Sequence, residues 1–423
     1  VSSTVKAPLG IKRIDSLHFF VNDLPRSRDH YVQRLDFVET AVGSPEFELA
    51  ESACASLLEA GEARFVFMAP TSSLGESFGW LAGHPEGVGR LVFEVESVED
   101  TFALLMERGA TPISAIEQGE VEDSLVRWFD IATAFGDTLF RFVEREGESY
   151  GMFPGMERVA SPTGASPGNR FAISGIDHVT TNFLTLRPAI LWMQEVLGLE
   201  RYWGIEFHTQ DVTGARGTAK GGGGSGLKSV VMWDPQSGIK FANNEPAAPA
   251  FRDSQIYRFC VDHRGAGVQH VALAVGDIVS AVGDMRQLGV EFMPTPSTYY
   301  DALPGRVRAL GIDKIDEPVE VLSDLEILVD GGGPNSYLLQ IFMREAASLF
   351  KDPSAGPLFI ELIQRKGDRG FGAGNFRALF ESIEREQAGV LRAERCSQLP
   401  PAPIDSSLAA ASAESAPPSC IAS

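Results

Sequence analysis

Short apolar runs and amphipathic stretches take turns along this chain. Ser16 to Val21, Arg64 to Met68, Gly89 to Val95 and Thr138 to Val143 read as strands, whereas Leu24 to Leu35 and Val98 to Gly109 carry apolar residues at helical spacing. The order strand, helix, several strands occurs twice in the first part of the chain and twice again later. That pattern predicts an α+β fold of four βαβββ modules. Gly, Pro and Ser cluster between Glu148 and Arg170, in Ser161-Pro162-Thr163-Gly164 and Ser166-Pro167-Gly168, which predicts a linker between two domains.

The expected organisation is a first domain over 11–150, a linker over 151–170, a second domain over 171–390 and a disordered Ser-, Ala- and Pro-rich tail over 391–423. Gly221 to Gly226 reads as a flexible turn between strands. Asn375 reads as the N-cap of a late helix whose Phe376, Leu379, Phe380 and Ile383 share one face. The 423 residues exceed what one hydrophobic core usually serves, which agrees with two domains.

Three metal-capable side chains stand inside strand-like apolar runs: His178 in Gly175-Ile176-Asp177-His178-Val179, His270 in Gly267-Val268-Gln269-His270-Val271 and Glu361 in Leu358-Phe359-Ile360-Glu361-Leu362. A lone strand histidine is more often a hydrogen-bonded core residue than a ligand. Here an internal repeat changes the weighing. Ile14-Asp15-Ser16-Leu17 resembles Ile176-Asp177-His178-Val179, and His84 to Val92 resembles His263 to Val271 with one residue skipped. Leu139 to Arg145 matches Phe359 to Arg365 backwards from the shared arginine. The first copy thus sets Ser16, Arg90 and Arg141 against His178, His270 and Glu361. One copy keeps three ligands and the other keeps none.

A carboxylate at Glu361 between inward-facing Phe359 and Ile363 is costly unless a cation or proton accompanies it. Two imidazoles and one carboxylate make the facial triad of non-haem Fe(II), with positions left for substrate and oxygen. Zinc is the rival, but the helical H-E-x-x-H of its usual catalytic sites is absent from the sequence. His18, His30, His84, His208 and His263 are expected to be structural, with His30 and His84 solvated.

The formal charge of −21 disfavours phosphate backbones and anionic membranes, so neither nucleic acid nor membrane is an expected partner. No apolar run approaches the roughly 18 residues of a membrane span. Cys54, Cys260, Cys396 and Cys420 are scattered without C-x-x-C spacing and fit reduced thiols of a cytoplasmic protein.

Further motifs join the triad: Gly226-Leu227-Lys228-Ser229, Asn244-Glu245-Pro246, Ser254-Gln255-Ile256, Pro296-Ser297-Thr298-Tyr299-Tyr300, Leu338-Leu339-Gln340-Ile341-Phe342 and Gly370-Phe371-Gly372-Ala373-Gly374-Asn375-Phe376. Over roughly residues 11 to 390 the chain resembles the 4-hydroxyphenylpyruvate dioxygenases of the vicinal oxygen chelate superfamily. The resemblance implies two pseudo-symmetric domains, each an open β-barrel of two modules around a cavity, with a C-terminal gating helix. It implies one Fe(II) per subunit on His178, His270 and Glu361, and conversion of 4-hydroxyphenylpyruvate and O2 to homogentisate and CO2 in tyrosine catabolism.

The substrate's own 2-oxo acid would replace any separate 2-oxoglutarate. By the same resemblance Gln269 and Gln340 line the iron pocket, and Ser229, Asn244 and Gln255 form a polar network for substrate. Phe342, Phe359, Phe371 and Phe376 enclose the aromatic ring, and Asn375 opens the gate helix. A homo-oligomer, dimer or tetramer, is implied. One departure is Ala242, where the family commonly has proline. It bears on the sister activity, 4-hydroxymandelate synthase, which uses the same substrate and metal. A third expectation, a non-catalytic binding protein, is set against the retained triad.

Overall fold

The computed structural model describes residues 6–163, 168–208, 226–248, 251–372 and 374–375. The first sheet comprises β1 (Ile11–Phe20), β2 (Val38–Gly43), β3 (Ala53–Ala60), β4 (Ala63–Pro70), β5 (Gly87–Val95), β6 (Thr111–Pro112), β7 (Glu117–Val121), β8 (Ser124–Ala132), β9 (Leu139–Arg145) and β10 (Met156–Thr163). The second comprises β11 (Ile173–Asn182), β12 (Glu200–His208), β13 (Gly226–Trp233), β14 (Lys240–Pro246), β15 (Gly267–Val275), β16 (Leu328–Gly331), β17 (Tyr337–Phe342) and β18 (Phe359–Lys366). Their spatial orders are β10-β2-β3-β4-β1-β5-β9-β8-β6, with β7 on β8, and β12-β13-β14-β11-β15-β18-β17-β16. Both are curled half-barrels. In each, two parallel pairs flank a central antiparallel pair: β1 with β4 and β5 with β9, then β11 with β14 and β15 with β18.

Local chemistry sets the helices where the periodicity placed them. Leu24–Leu35 starts at Asp23, whose side chain accepts from the Arg26 amide, buries Tyr31 and Leu35, and stops at Asp36 in the left-handed region. Val98–Glu107 and Ile278–Gln287 are capped by Ser97 and Asp277. Each also receives a side-chain acceptor from the adjoining sheet: Glu144 to the Val98 amide at 2.8 Å and Gln364 to the Ile278 amide at 3.1 Å. Aromatic packing is dense in the apolar core, where Phe93 and Phe140 of the first sheet meet Phe241 of the second and Phe142 packs on Phe93.

Several expectations meet a different structure. The segment anticipated as a linker contains β10, which pairs with β2 through Met156 opposite Gly43 and Glu157 opposite Val42. Its glycines border a strand rather than replace it, and Pro162 lies within that strand. His84 is buried, with Nδ1 2.8 Å from the His263 carbonyl and Nε2 2.8 Å from Asp137 Oδ2. Its placement in a polar Gly/Pro context concealed that role. Residues 221–225 of the Gly-rich turn, the helix beyond Asn375, and the tail with Cys396 and Cys420 lie outside the described residues. Cys54 and Cys260 are free thiols. Among the described residues no helix is long and apolar enough to cross a membrane.

Candidate metal centre

Sheet register carries the three ligands to one place. His178 on β11 lies opposite Ala272 on β15, Ala272 lies beside Glu361 on β18, and Glu361 lies opposite Phe342 on β17. One step along, Thr180, His270 and Phe359 form the neighbouring row. The ligand atoms of His178, His270 and Glu361 all fall within 4.8 Å of one another, and all three residues are buried. Glu361 Oε2 is 3.5 Å from His178 Nε2 and 3.2 Å from His270 Nε2. The triad read from sequence is therefore brought together.

Two β-bulges explain why each imidazole has a polar helper beside it. Register slips between Ile176 and His178, which leaves Asp177 as an extra residue of β11, and between Thr180 and Thr181, which leaves Gln269 as an extra residue of β15. A bulge turns an added side chain out of strict alternation. Asp177 and Gln269 consequently face the same way as the ligands that follow them. Asp177 Oδ1 accepts from His178 Nδ1 at 2.9 Å, and Gln269 Oε1 accepts from His270 Nδ1 at 3.2 Å. With both Nδ1 atoms engaged, both Nε2 atoms are left for a metal.

A further layer supports the first. Arg365 clamps both oxygens of Asp177, at 2.6 and 2.7 Å, and donates through Nη1 to the carbonyls of Asp368 and Gly370. Gln340 Nε2 donates to Glu361 Oε1 at 2.7 Å, and Asn375 Nδ2 donates to Gln340 Oε1 at 3.0 Å. Gly372 makes that approach possible: at φ +62° it would place a Cβ 2.1 Å from Gln340 Oε1. Asn375 sits in a helical pair with Gly374, and its side chain faces Gln340 and Tyr299.

Electrostatics follow from this arrangement. Burial alone would push the Glu361 carboxyl up, but His178 and His270 outweigh it and hold it at about 2. Burial would likewise lower His178, yet Glu361 and Asp177 together raise it. His270 faces one carboxylate and an uncharged amide, so burial prevails and its pKa falls. Asp177 is pushed up by burial and brought well below the carboxylate range by Arg365 and His178. A buried anion in contact with two imidazoles suits a cation between them.

The pocket residues divide. Phe359 stacks on the His270 ring at 4.9 Å, Phe342 approaches it edge-on at 6.0 Å, and Phe371 approaches His178 at 5.1 Å. Phe376 lies outside the described residues. Ser229 faces Asn244 across β13 and β14, and Asn244 Nδ2 donates to Asn182 Oδ1 at 3.1 Å. Ser229 Oγ and Asn244 Oδ1 are buried with no hydrogen-bond partner among the described residues. Gln255 is buried at the start of the helix Gln255–Asp262. Phe371 joins Leu227, Val231, Ala242 and Ile256 in the adjoining apolar cluster.

Sequence reasoning missed the roles of Asp177, Arg365 and Tyr299. The available signal for Arg365 was the arginine common to both repeats, and for Asp177 a charged residue kept in both copies of an apolar strand.

The chain is similar to known proteins along most of its length. The Glyoxalase/Bleomycin resistance protein/Dioxygenase superfamily matches residues 175–303. A 4-hydroxyphenylpyruvate dioxygenase of Coccidioides posadasii is 33% identical, covering 88% of this chain and 92% of its own length. One of Caenorhabditis briggsae is 35% identical over 73% of this chain and 74% of its own. Among solved structures, a triple mutant of 4-hydroxymandelate synthase from Streptomyces coelicolor superposes with a TM-score of 0.71 at 26% identity, covering 89% of this chain and 99% of that one.

Proposed function

The chain belongs to the 4-hydroxyphenylpyruvate dioxygenase family, and from that membership we propose that it converts 4-hydroxyphenylpyruvate and O2 to homogentisate and CO2 with Fe(II) held by His178, His270 and Glu361. The observation that carries this reading is the convergence of two Nε2 atoms and one carboxylate oxygen on a single buried point. That donor set is the facial arrangement that leaves positions for a chelating 2-oxo acid and for oxygen. Fe(II) there supplies the redox chemistry that couples loss of CO2 to hydroxylation of the ring. Since the 2-oxo acid belongs to the substrate, no 2-oxoglutarate is needed.

The remaining work falls to the chain's own side chains. Asp177 and Gln269 fix the two imidazoles in rotation and tautomer. Gln340 holds Glu361 Oε1, so that Oε2 is the oxygen presented to the metal. Ser229 Oγ and Asn244 Oδ1 offer buried polar atoms to the substrate, and by resemblance the buried Gln255 does so with them. Phe342, Phe359, Phe371 and, by resemblance, Phe376 exclude water and pack against the aromatic ring.

The synthase neighbour supports a second reading, benzylic oxidation of the same substrate, and Ala242 lies where that choice bears: fully buried, between Val231 and Thr180 in the row of His270. One assay separates the outcomes. Protein purified without oxygen and given Fe(II), 4-hydroxyphenylpyruvate and O2 should release homogentisate. Hydroxymandelate as the only product would establish the synthase, and no turnover would indicate a binding protein.

A further inference from the structure

The hydrogen-bond chain behind Glu361 has a direction. Gln340 Nε2 donates to Glu361 Oε1 at 2.7 Å, Asn375 Nδ2 donates to Gln340 Oε1 at 3.0 Å, and the Tyr299 hydroxyl donates to Asn375 Oδ1 at 2.9 Å. A carboxylate can only accept, so Gln340 must turn its NH2 toward Glu361 and its carbonyl toward Asn375. Asn375 must then present its own NH2 to Gln340. Its carbonyl is left facing Tyr299, where only an O–H satisfies it.

Tyr299 is well placed to be that terminal donor. It lies on the helix Ser297–Ala309 and is buried. Its hydroxyl oxygen accepts the Val329 amide of β16 at 2.8 Å, which fixes the oxygen in space. The Val329 carbonyl, 3.0 Å away, competes for the one hydroxyl proton. The Asn375 carbonyl is fully buried, and leaving such an acceptor unmet is costly.

We propose that Tyr299 is a positioning residue of the metal centre: its hydroxyl sets the direction of the amide chain, and thereby keeps Glu361 Oε1 on Gln340 and Oε2 toward the imidazoles. Without the hydroxyl, rotation of Asn375 brings its carbonyl against that of Gln340. A compensating rotation of Gln340 brings a carbonyl against the carboxylate, and Glu361 turns away. The proposal rests on the metal assignment made above.

The full-length protein, stripped of metal, is titrated with Co(II) and followed by its visible absorption bands. Y299F should bind about 10-fold more weakly, at the low end for an outer-shell partner, with altered bands. Y300F, which removes a buried hydroxyl of the same helix that is not part of the chain, should bind as the parent does. In a Q340A background the chain is already cut, so Y299F should change affinity by less than about twofold, the sign of a shared path. Parent-like binding by Y299F, or an equal loss in both backgrounds, would overturn the proposal. A parent protein that binds no Co(II) would overturn the metal assignment together with it. If Y299F does not fold, 3-fluorotyrosine placed at position 299 of the otherwise unaltered protein should show a 19F shift on Zn(II) loading, and an unmoved resonance would count against the role.

Discussion

The two half-barrels hold the same frame around opposite solutions to one electrostatic problem. In the second half, Ala272 links His178 to Glu361, and Thr180 stands opposite His270 in the neighbouring row. In the first half the same steps of register link Ser16 to Val92, Val92 to Arg141, and His18 to Arg90. The bulges recur as well, with Asp15 and Gly89 as the extra residues. The second half presents a buried carboxylate that suits a cation from outside. The first brings its cations with it. Arg141 pairs with both oxygens of Asp130 at 2.7 Å, and Arg90 pairs with Glu76 and donates to His18 Nδ1 at 3.3 Å. Phe153 fills the space, 5.4 Å from His18 and 4.9 Å from the guanidinium carbons of both Arg141 and Arg145.

What both halves share is the brace. Arg145 clamps Asp15 at 2.7 and 2.9 Å and donates to the carbonyls of Ser149 and Met152, as Arg365 clamps Asp177 and donates to those of Asp368 and Gly370. In the first half the brace holds only scaffold, with Ser16 Oγ donating to Asp15 Oδ2 at 3.1 Å. In the second it also orients the His178 imidazole. The difference teaches that the His-His-Glu triad sits in an ion-paired frame that the first half keeps without it.

Substitution can sharpen that contrast. The largest effect is expected from H178A, which should remove metal retention and turnover together; metal analysis of the purified variant checks it, and retained turnover would sink the site. Next, R145A leaves Asp15 buried without its partner and should cost about 3–5 kcal/mol of stability, read by denaturant unfolding, with Co(II) affinity of the folded fraction unchanged. D177N should act on the other axis, weakening metal binding about 10–100-fold, as for other outer-shell partners. Equal effects of D15N and D177N on Co(II) binding would break the comparison.

The smallest effect concerns pH. Burial pushes Asp15 up, but Arg145 and Arg64 bring its carboxyl below the ordinary value of 3.8. A lowered folded-state pKa gives stability that is complete above the unfolded value and lost as pH falls. The parent should therefore lose stability below about pH 4 more steeply than D15N does, in equilibrium unfolding across that range.

Much of this was legible in the chain. Ser16, Arg90 and Arg141 stand in register where the repeat set them, because period-two alternation and a shared arginine fix which positions correspond. The triad was legible because a carboxylate amid Phe359, Ile360 and Leu362 is too costly to bury without a cation or proton beside it. The bulges at Asp177 and Gln269 were not, as β11 and β15 are largely buried on both faces and have no alternation for an extra residue to break. Nor were the Asp177 to Arg365 and Tyr299 to Asn375 contacts, which join residues far apart in sequence through side-chain geometry alone. Strand β10 stayed hidden because an edge strand needs no apolar pattern on both faces.

The added residue at position 177 also decides what a deletion at that spot would take away. Asp177 is extra to the pairing, so deleting it would leave His178 opposite Ala272 and facing the same way, but with no carboxylate on its Nδ1 and none for Arg365 to clamp. A descendant could lose the hold on this imidazole by shortening, or the triad itself by exchanging letters, as Ser16 stands in the first half, and keep the sheet in either case.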